Sequence, residues 1–189
     1  MNANIFIFHG TEGYPEENWF PWLKQELEQK EYKVFVPQFP SPPIVPAKIA
    51  EWFDVLKNYE QNIDENSILI GHSLGGIFLL RELEKLTHPI KAAFFVGTPI
   101  GVRPILNFDR DSAFSGFDFN WEEIKKKAQN FVVFQSDDDP YVGLDNGKEL
   151  AKNLGIELSF VPNAGHFNKK AGYLKFDLLK DKVLQILEK

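Results

Sequence analysis

The sequence contains no cysteine, and this absence excludes two kinds of site. The chain can form no disulfide bond, and it can offer no thiolate to a metal ion. A cysteine-free composition is compatible with the reducing cytoplasm, which is the compartment that we expect.

A basic surface and a long apolar run are also missing. The chain has 21 lysines and arginines against 27 aspartates and glutamates, and its net charge of −6 argues against nucleic acid or an anionic membrane as a partner. The apolar run at 5–8 is far too short for a signal peptide, and no run approaches the length of a membrane span. We therefore expect a cytoplasmic protein that binds neither nucleic acid nor a membrane.

The composition that is present is typical of a globular domain. The chain has 189 residues, of which 43% are hydrophobic and 25% are charged. This length predicts a single domain over residues 1–189 with a sizeable core. Eighteen phenylalanines and four tryptophans form a heavy aromatic load for a core of this size.

Short apolar runs alternate with longer amphipathic ones, and this alternation predicts an α/β fold. Strands separated by helices imply right-handed crossovers and a mostly parallel six-stranded sheet with helices on both faces. The predicted strands are 5–8, 33–37, 68–70, 92–96, 131–135 and 158–161. The predicted helices are 18–30, 46–58, 74–86, 121–128, 145–154 and 173–187.

The most informative motif is Gly-His-Ser-Leu-Gly at 71–75, which matches the pattern G-x-S-x-G. It lies between a predicted strand and a predicted helix, where a sharp turn exposes the serine at the carboxyl edge of the sheet. This context predicts that Ser73 is a nucleophile, and the alternative is a tight turn with an inert serine. The backbone N–H groups of such a turn also favour an anion.

A serine hydroxyl needs a base and a group that orients the base. Asp139 follows the strand 131–135, and His166 follows the strand 158–161, so both candidates lie where open α/β sheets hold their sites. The order Ser73, Asp139, His166 is the order found in the strand-first hydrolase architecture. His9 is a weaker candidate for the base.

The choice of acid within the run 137–139 remains open between two residues. Pro140 fixes the turn after Asp139 and Val142 supplies an apolar anchor, which favours Asp139 over Asp138. Alternatively, these aspartates form an N-cap cluster for the helix that begins near Asp145.

An oxyanion hole requires two donors directed at the developing charge. We expect one from the backbone N–H of Leu74 and the other from the loop after the first strand, through Thr11 or its neighbour. Gly10 and Gly13 would let this loop approach the substrate closely. We interpret Glu12 as a solvated residue.

Two segments interrupt the alternation of strands and helices. Residues 38–46 contain four prolines and are interpreted as a stiff connector, and the alternative is a proline-rich docking segment. Residues 99–120 are interpreted as a short cap, because a loop this long in a compact domain is usually functional. Gly10 and the cap phenylalanines Phe108, Phe114 and Phe117 are the predicted substrate pocket, and the alternative is an aromatic loop packed on the core.

Four short motifs make the chain resemble the small serine hydrolases related to retinoblastoma-binding protein nine, in the α/β-hydrolase superfamily. The motifs are 8–10, 71–76, 138–142 and 165–167. The resemblance covers nearly the whole chain and implies a compact α/β-hydrolase core with the triad Ser73, Asp139 and His166. It does not extend to a cysteine-containing segment that binds retinoblastoma protein, because this chain has no cysteine.

The sequence thus predicts a carboxylesterase-like serine hydrolase that cleaves a small ester, thioester or activated amide through an acyl-enzyme. No metal and no organic cofactor are required, and the expected partner is a small-molecule acyl substrate. The aromatic cap predicts an apolar acyl or aryl group on that substrate. The alternatives are a non-catalytic binding module on the same scaffold and an acyltransferase. The natural substrate and the oligomeric state do not follow from the sequence.

Overall fold

The computed structural model describes residues 3–41 and 47–188, which build one six-stranded parallel sheet with helices on both faces. The strands lie in the order β2-β1-β3-β4-β5-β6. All of their pairings are parallel, which confirms the predicted parallel α/β sheet. The strands are β1 (Asn4–Phe8), β2 (Lys33–Phe35), β3 (Ile68–His72), β4 (Ile90–Val96), β5 (Ala128–Gln135) and β6 (Ser159–Phe160). The helices are α1 (Phe20–Glu28), α2 (Ile49–Leu56), α3 (Leu74–Lys85), α4 (Phe108–Ser115), α5 (Trp121–Ile124), α6 (Leu144–Leu154) and α7 (Asp177–Leu187).

The alternation of side chains along β1 explains why both faces of the sheet are covered. Phe6 and Phe8 pack into the core on the side of α2 and α3, whereas Ile5 and Ile7 pack into the core on the side of α1 and α7. Successive side chains of a strand point to opposite faces, so a strand that is apolar at every position needs helices on both sides.

The strand order places a topological switch point beside the central strand β3. The chain runs from β1 outward to β2 and then returns to β3 on the other side of β1. Ligands of open α/β sheets bind outside the carboxyl ends of the strands at such a point. The loops that follow β1 and β3 therefore meet at the edge where the sequence predicts the site.

The segment 99–120, for which the sequence predicts a long loop and no helix, contains the helix α4. Gly116 ends this helix with a positive φ of 68°, a conformation that glycine adopts easily. A bridge between Ile105 and Val142 and a backbone hydrogen bond from Leu106 to Tyr141 hold the start of the segment against the loop after β5.

The structure also differs from the sequence prediction at the ends of other elements. The predicted helix 121–128 is only the single turn α5, because Ala128 already pairs with Ile90 as the first residue of β5. Residues 42–46 lie outside the described part of the chain, and with them lie most of the proline connector and the start of the predicted helix 46–58.

Candidate active site

Ser73 occupies a strained turn between the end of β3 and the start of α3. Its φ of 55° and ψ of −122° are unusual for a residue with a side chain. The Ser73 N–H donates to the carbonyl oxygen of Val96 at 2.9 Å, which ties the turn to the neighbouring strand β4. Strain of this kind persists only where the surrounding structure enforces it, and it is concentrated at functional sites.

Two glycines allow the loop after β1 to touch this turn. A Cβ atom at Gly75 would collide with the carbonyl oxygen of Phe8, and one at Gly10 would lie 2.8 Å from the Cβ of Ser73. Gly10 and Thr11 therefore lie beside the serine, as the predicted oxyanion loop requires. Leu74 begins α3, so its backbone N–H belongs to the first helical turn and lacks an acceptor within the helix.

His166 contacts Asp139 and not Asp138. The Nδ1 atom of His166 lies 2.7 Å from Oδ2 of Asp139, whose side chain is fully buried. The other carboxylate oxygen of Asp139 accepts the backbone N–H groups of Tyr141 and Val142 at 2.9 and 3.0 Å. A carboxylate at Nδ1 places the proton on that nitrogen and leaves Nε2 as the basic nitrogen.

The neighbours of Asp139 bind the loop that carries His166. Asp138, which is exposed, and the buried Ser136 accept hydrogen bonds from that loop, and the Ser136 hydroxyl also donates to Asp138 at 2.6 Å. The hydrogen bond from Ser136 holds the pKa of Asp138 below its usual range. The bonds to the loop run from the N–H of Asn163 to Asp137, of Ala164 to Ser136 and of Gly165 to Asp138.

The N-cap interpretation of the run 137–139 is not what the structure shows. The N-cap of α6 is Gly143, which provides no side-chain hydrogen bond. All three aspartates instead serve the loop of His166 or the turn at Tyr141.

The ring of His72 holds the backbone of His166 in place. Its Nε2 lies 2.8 Å from the carbonyl oxygen of His166, so that nitrogen carries the proton and donates. Burial lowers the pKa of His72 to about 3, so the ring is neutral at physiological pH. His72 therefore positions the backbone of His166, and its low pKa makes it a poor base.

His9 is fully buried and acts on the loop after β1. Its Nε2 accepts the backbone N–H of Phe39 at 3.0 Å, so Nδ1 carries the proton and donates to the carbonyl oxygen of Gly10 at 2.9 Å. Burial also lowers the pKa of His9. These contacts fix the loop beside Ser73. They favour a structural role for His9 over a role as the base.

A cavity of about 750 Å³ opens above Ser73 and His166. Gly10 and Thr11 form part of its wall, and the loop after β5 contributes Tyr141. Charged side chains from three parts of the chain complete the wall. They are Glu12, Glu17, Arg110, Asp111, Lys169 and Lys170.

The three phenylalanines predicted to line the pocket are not among the residues of this cavity wall. Phe114 is buried in the core, where its ring lies 5.1 Å from that of Trp52. Phe117 packs against Phe108 at 5.4 Å, and Arg103 lies over the Phe108 ring. Phe114 thus anchors the segment 99–120 to the core, whereas Phe108 and Phe117 pack against each other within the segment. The expectation of an aromatic pocket is not met.

Sequence reasoning missed two carboxyl groups in the cavity wall. Burial raises the pKa of Glu17 to about 7 and that of Asp111 to about 6. Glu12 is exposed, as its interpretation as a solvated residue predicts, and it also accepts a hydrogen bond from Arg110 of α4 at 3.1 Å. No motif surrounds Glu17 or Asp111 in the sequence, so only the fold reveals their position.

In the described ranges 3–41 and 47–188, no cluster of three or more potential ligand side chains could hold a metal ion. Over the same ranges, no helix combines the length and the apolar character that crossing a bilayer demands.

Comparison with known proteins gives matches along almost the whole chain. A family model described as serine hydrolase matches residues 5–185. The YdeN protein of Bacillus subtilis is 26% identical over 181 residues, which are 96% of this chain and 94% of that protein. The serine hydrolase RBBP9 of Rattus norvegicus is 29% identical over 150 residues, which are 79% of this chain and 77% of that protein.

Solved structures share the fold. The crystal structure of the B. subtilis ydeN gene product superposes with a TM-score of 0.91 at 27% identity, and the match covers 100% of both chains. Est1E from Butyrivibrio proteoclasticus superposes with a TM-score of 0.72 at 16% identity over 100% of this chain and 89% of that chain. The second likeness concerns the fold alone.

Proposed function

This chain belongs to the serine hydrolase family, and from that premise we propose that it cleaves a small ester, thioester or activated amide through an acyl-enzyme on Ser73. Family membership agrees with the resemblance and the hydrolytic activity predicted from the sequence. The carboxylesterase-like chemistry and the Ser73–Asp139–His166 triad are the parts that we propose here.

In the first half of the reaction, the Oγ atom of Ser73 attacks the carbonyl carbon of the substrate while Nε2 of His166 takes the serine proton. The tetrahedral intermediate then expels the alcohol, thiol or amine, which receives that proton from His166. A new ester bond joins the acyl group to Ser73.

In the second half, water attacks the acyl-enzyme and His166 takes a proton from the water. Collapse of the second intermediate breaks the ester bond to Ser73, returns the proton to the serine oxygen and releases the carboxylic acid. Asp139 holds the ring of His166 in the required tautomer and stabilises the imidazolium that forms in both halves. The N–H groups of Leu74 and Thr11 stabilise the oxyanion.

One observation carries the proposal. His166 lines the same cavity as Ser73 in its strained turn, and behind the wall its ring contacts the buried Asp139 at 2.7 Å. A nucleophile, a base and a group that orients the base are the parts that a serine hydrolase needs in one place. The substrate is a small-molecule acyl compound in this proposal, and the cysteine-free composition supports a cytoplasmic location.

A fluorophosphonate probe tests the nucleophile directly, because it reacts covalently with activated serines. We expect labelling of the wild-type protein and of Ser159→Ala, a control serine in β6, and no labelling of Ser73→Ala. Hydrolysis of p-nitrophenyl butyrate should follow the same pattern. Labelling of Ser73→Ala at the wild-type rate would refute the proposal.

A further inference from the structure

Asp111 of α4 is a buried carboxyl group in the cavity wall, and one of its oxygens accepts no hydrogen bond within the described part of the chain. It is 5% exposed and lines the same cavity as Ser73 and His166. Its Oδ1 is shielded from solvent, and no hydrogen-bond donor in the described part of the chain reaches it. Electrostatic attraction to Arg110 and His166 acts on the group, but it is weaker than the effect of burial.

This arrangement costs stability, because a buried polar atom without a partner forfeits its hydration. The other buried aspartate of the site, Asp139, shows the contrast. Its two oxygens are engaged by His166 and by the N–H groups of Tyr141 and Val142. A carboxyl oxygen left without a donor at the wall of an active-site cavity can accept a hydrogen bond from a ligand whose binding shifts the side chains that shield it from solvent.

We propose that Asp111 determines substrate specificity by accepting a hydrogen bond from an uncharged donor, a hydroxyl or an amide N–H, on the substrate. The inference rests on the proposed hydrolase function and adds a polar requirement to it. It replaces the apolar acyl or aryl group that the aromatic cap led us to expect, because the cap phenylalanines lie outside the cavity wall.

The charges of the cavity wall favour an uncharged donor over an ammonium group. The formal acids and bases among the lining residues are equal in number. They are Glu12, Glu17 and Asp111 against Arg110, Lys169 and Lys170. A balanced wall gives a cation little electrostatic advantage, whereas a neutral donor needs only the acceptor at Asp111.

Paired substrates that differ by one hydroxyl group test the inference. On the acyl side, p-nitrophenyl esters of 2-hydroxybutyrate and 3-hydroxybutyrate are compared with the butyrate ester. On the leaving-group side, 2-hydroxyethyl butyrate is compared with ethyl butyrate. The readout is the ratio of kcat/KM for the hydroxylated substrate to kcat/KM for its partner, which a general loss of folded enzyme leaves unchanged.

We expect at least one pair to favour the hydroxylated substrate in the wild-type enzyme and Asp111→Leu to lower that ratio by about tenfold or more. Asp111→Asn keeps a carbonyl acceptor of the same shape and should retain part of the preference, which also protects the test if Asp111→Leu does not fold. Asp109→Leu, at an exposed position of the same helix, is the matched control and should keep the wild-type ratio.

The inference is overturned if Asp111→Leu and wild type show the same ratio for every pair. The assignment of a neutral donor would be overturned if the wild-type enzyme preferred the p-nitrophenyl ester of 2-aminobutyrate to the butyrate and hydroxybutyrate esters and Asp111→Leu removed that preference. Fluorophosphonate labelling separates the two proposals. Labelling of Ser73 with unchanged ratios refutes only the role of Asp111, whereas absent labelling and absent turnover refute both.

Discussion

Asp139 and Asp138 are adjacent in the sequence, yet their side chains do different things. Asp139 reaches the ring of His166, whereas the exposed Asp138 reaches the backbone N–H of Gly165. The first contact decides which ring nitrogen is basic, and the second only holds the loop. The sequence left the choice between them open because both precede Pro140 within two residues.

Replacing each aspartate by asparagine should separate these roles. Asp139→Asn is expected to lower kcat by about 10³–10⁴-fold, since an amide stabilises the wrong tautomer of His166 and cannot balance the imidazolium. Asp138→Asn keeps an acceptor for the N–H of Gly165 and leaves the tautomer of His166 unchanged. It should therefore lower kcat by less than about tenfold. Steady-state hydrolysis of p-nitrophenyl butyrate measures both, and equal losses would contradict the assignment.

At the scale of elements, the loop after β5 and the loop after β6 form one hydrogen-bonded unit. Ser136 lies at its centre, fully buried, and its hydroxyl accepts the N–H of Ala164 at 2.9 Å. The short strand pairing of β5 with β6 continues into these loops through the bond from Val161 to Gln135. The position of His166 therefore depends on residues of the neighbouring strand.

Ser136→Ala tests this dependence. The change leaves the buried N–H of Ala164 without an acceptor, which should lower the free energy of unfolding by about 1–3 kcal/mol. It should also lower kcat more than it raises KM, since His166 loses support while the cavity wall stays in place. Urea unfolding and steady-state kinetics measure the two effects. Ser159→Ala in β6 is the control, and a wild-type kcat for Ser136→Ala would argue against the coupling.

The strands were predictable and α4 was not, for reasons that differ in kind. A strand buried on both faces is apolar at nearly every position, so β1, β3 and β4 are visible as short apolar runs. The helix α4 is short and carries two acidic residues in its first turn, and its single strongly buried aromatic residue is Phe114. A helix of eight residues with so little apolar periodicity is stabilised by tertiary contacts, which a local pattern does not contain.

At the scale of the whole molecule, topology explains why the location of the three proposed triad residues could be predicted and the cavity wall could not. Parallel strands bring all their carboxyl ends to one edge, so Ser73, Asp139 and His166 were expected to meet there. The wall instead depends on the direction in which α4 turns its side chains. The sequence predicts that phenylalanines of the segment 99–120 face the substrate. In the structure, Phe114 and Phe117 pack against the hydrophobic core, and Asp111 lines the cavity instead.

Burial of ionisable groups also sets how the stability of the whole molecule depends on pH. Burial raises the pKa of Glu82 in α3 from 4.5 to about 7, and it lowers the pKa of His72 from 6.5 to about 3. Between pH 4.5 and 7 the folded state binds more protons at Glu82 than the unfolded state does, so this group makes stability fall as pH rises. His72 acts in the opposite direction, because its folded form binds fewer protons, and its contribution is lost as pH falls from 6.5 towards 3.

Glu82→Gln should separate the effect of Glu82 on the pH dependence of stability from that of His72. A neutral amide removes the cost of ionising a buried carboxyl, so the variant should gain up to about 3 kcal/mol of unfolding free energy over wild type at pH 8, by the conversion of about 1.4 kcal/mol per pKa unit. At pH 4.5 the gain should vanish, because the carboxyl of Glu82 is protonated in the folded wild-type protein at that pH. Urea unfolding at pH 4.5, 6 and 8 measures the difference, with Glu149→Gln on the surface of α6 as the control. Since Glu82 is not among the residues that line the cavity, hydrolysis should be unchanged, and a gain that is the same at every pH would contradict the role of its ionisation.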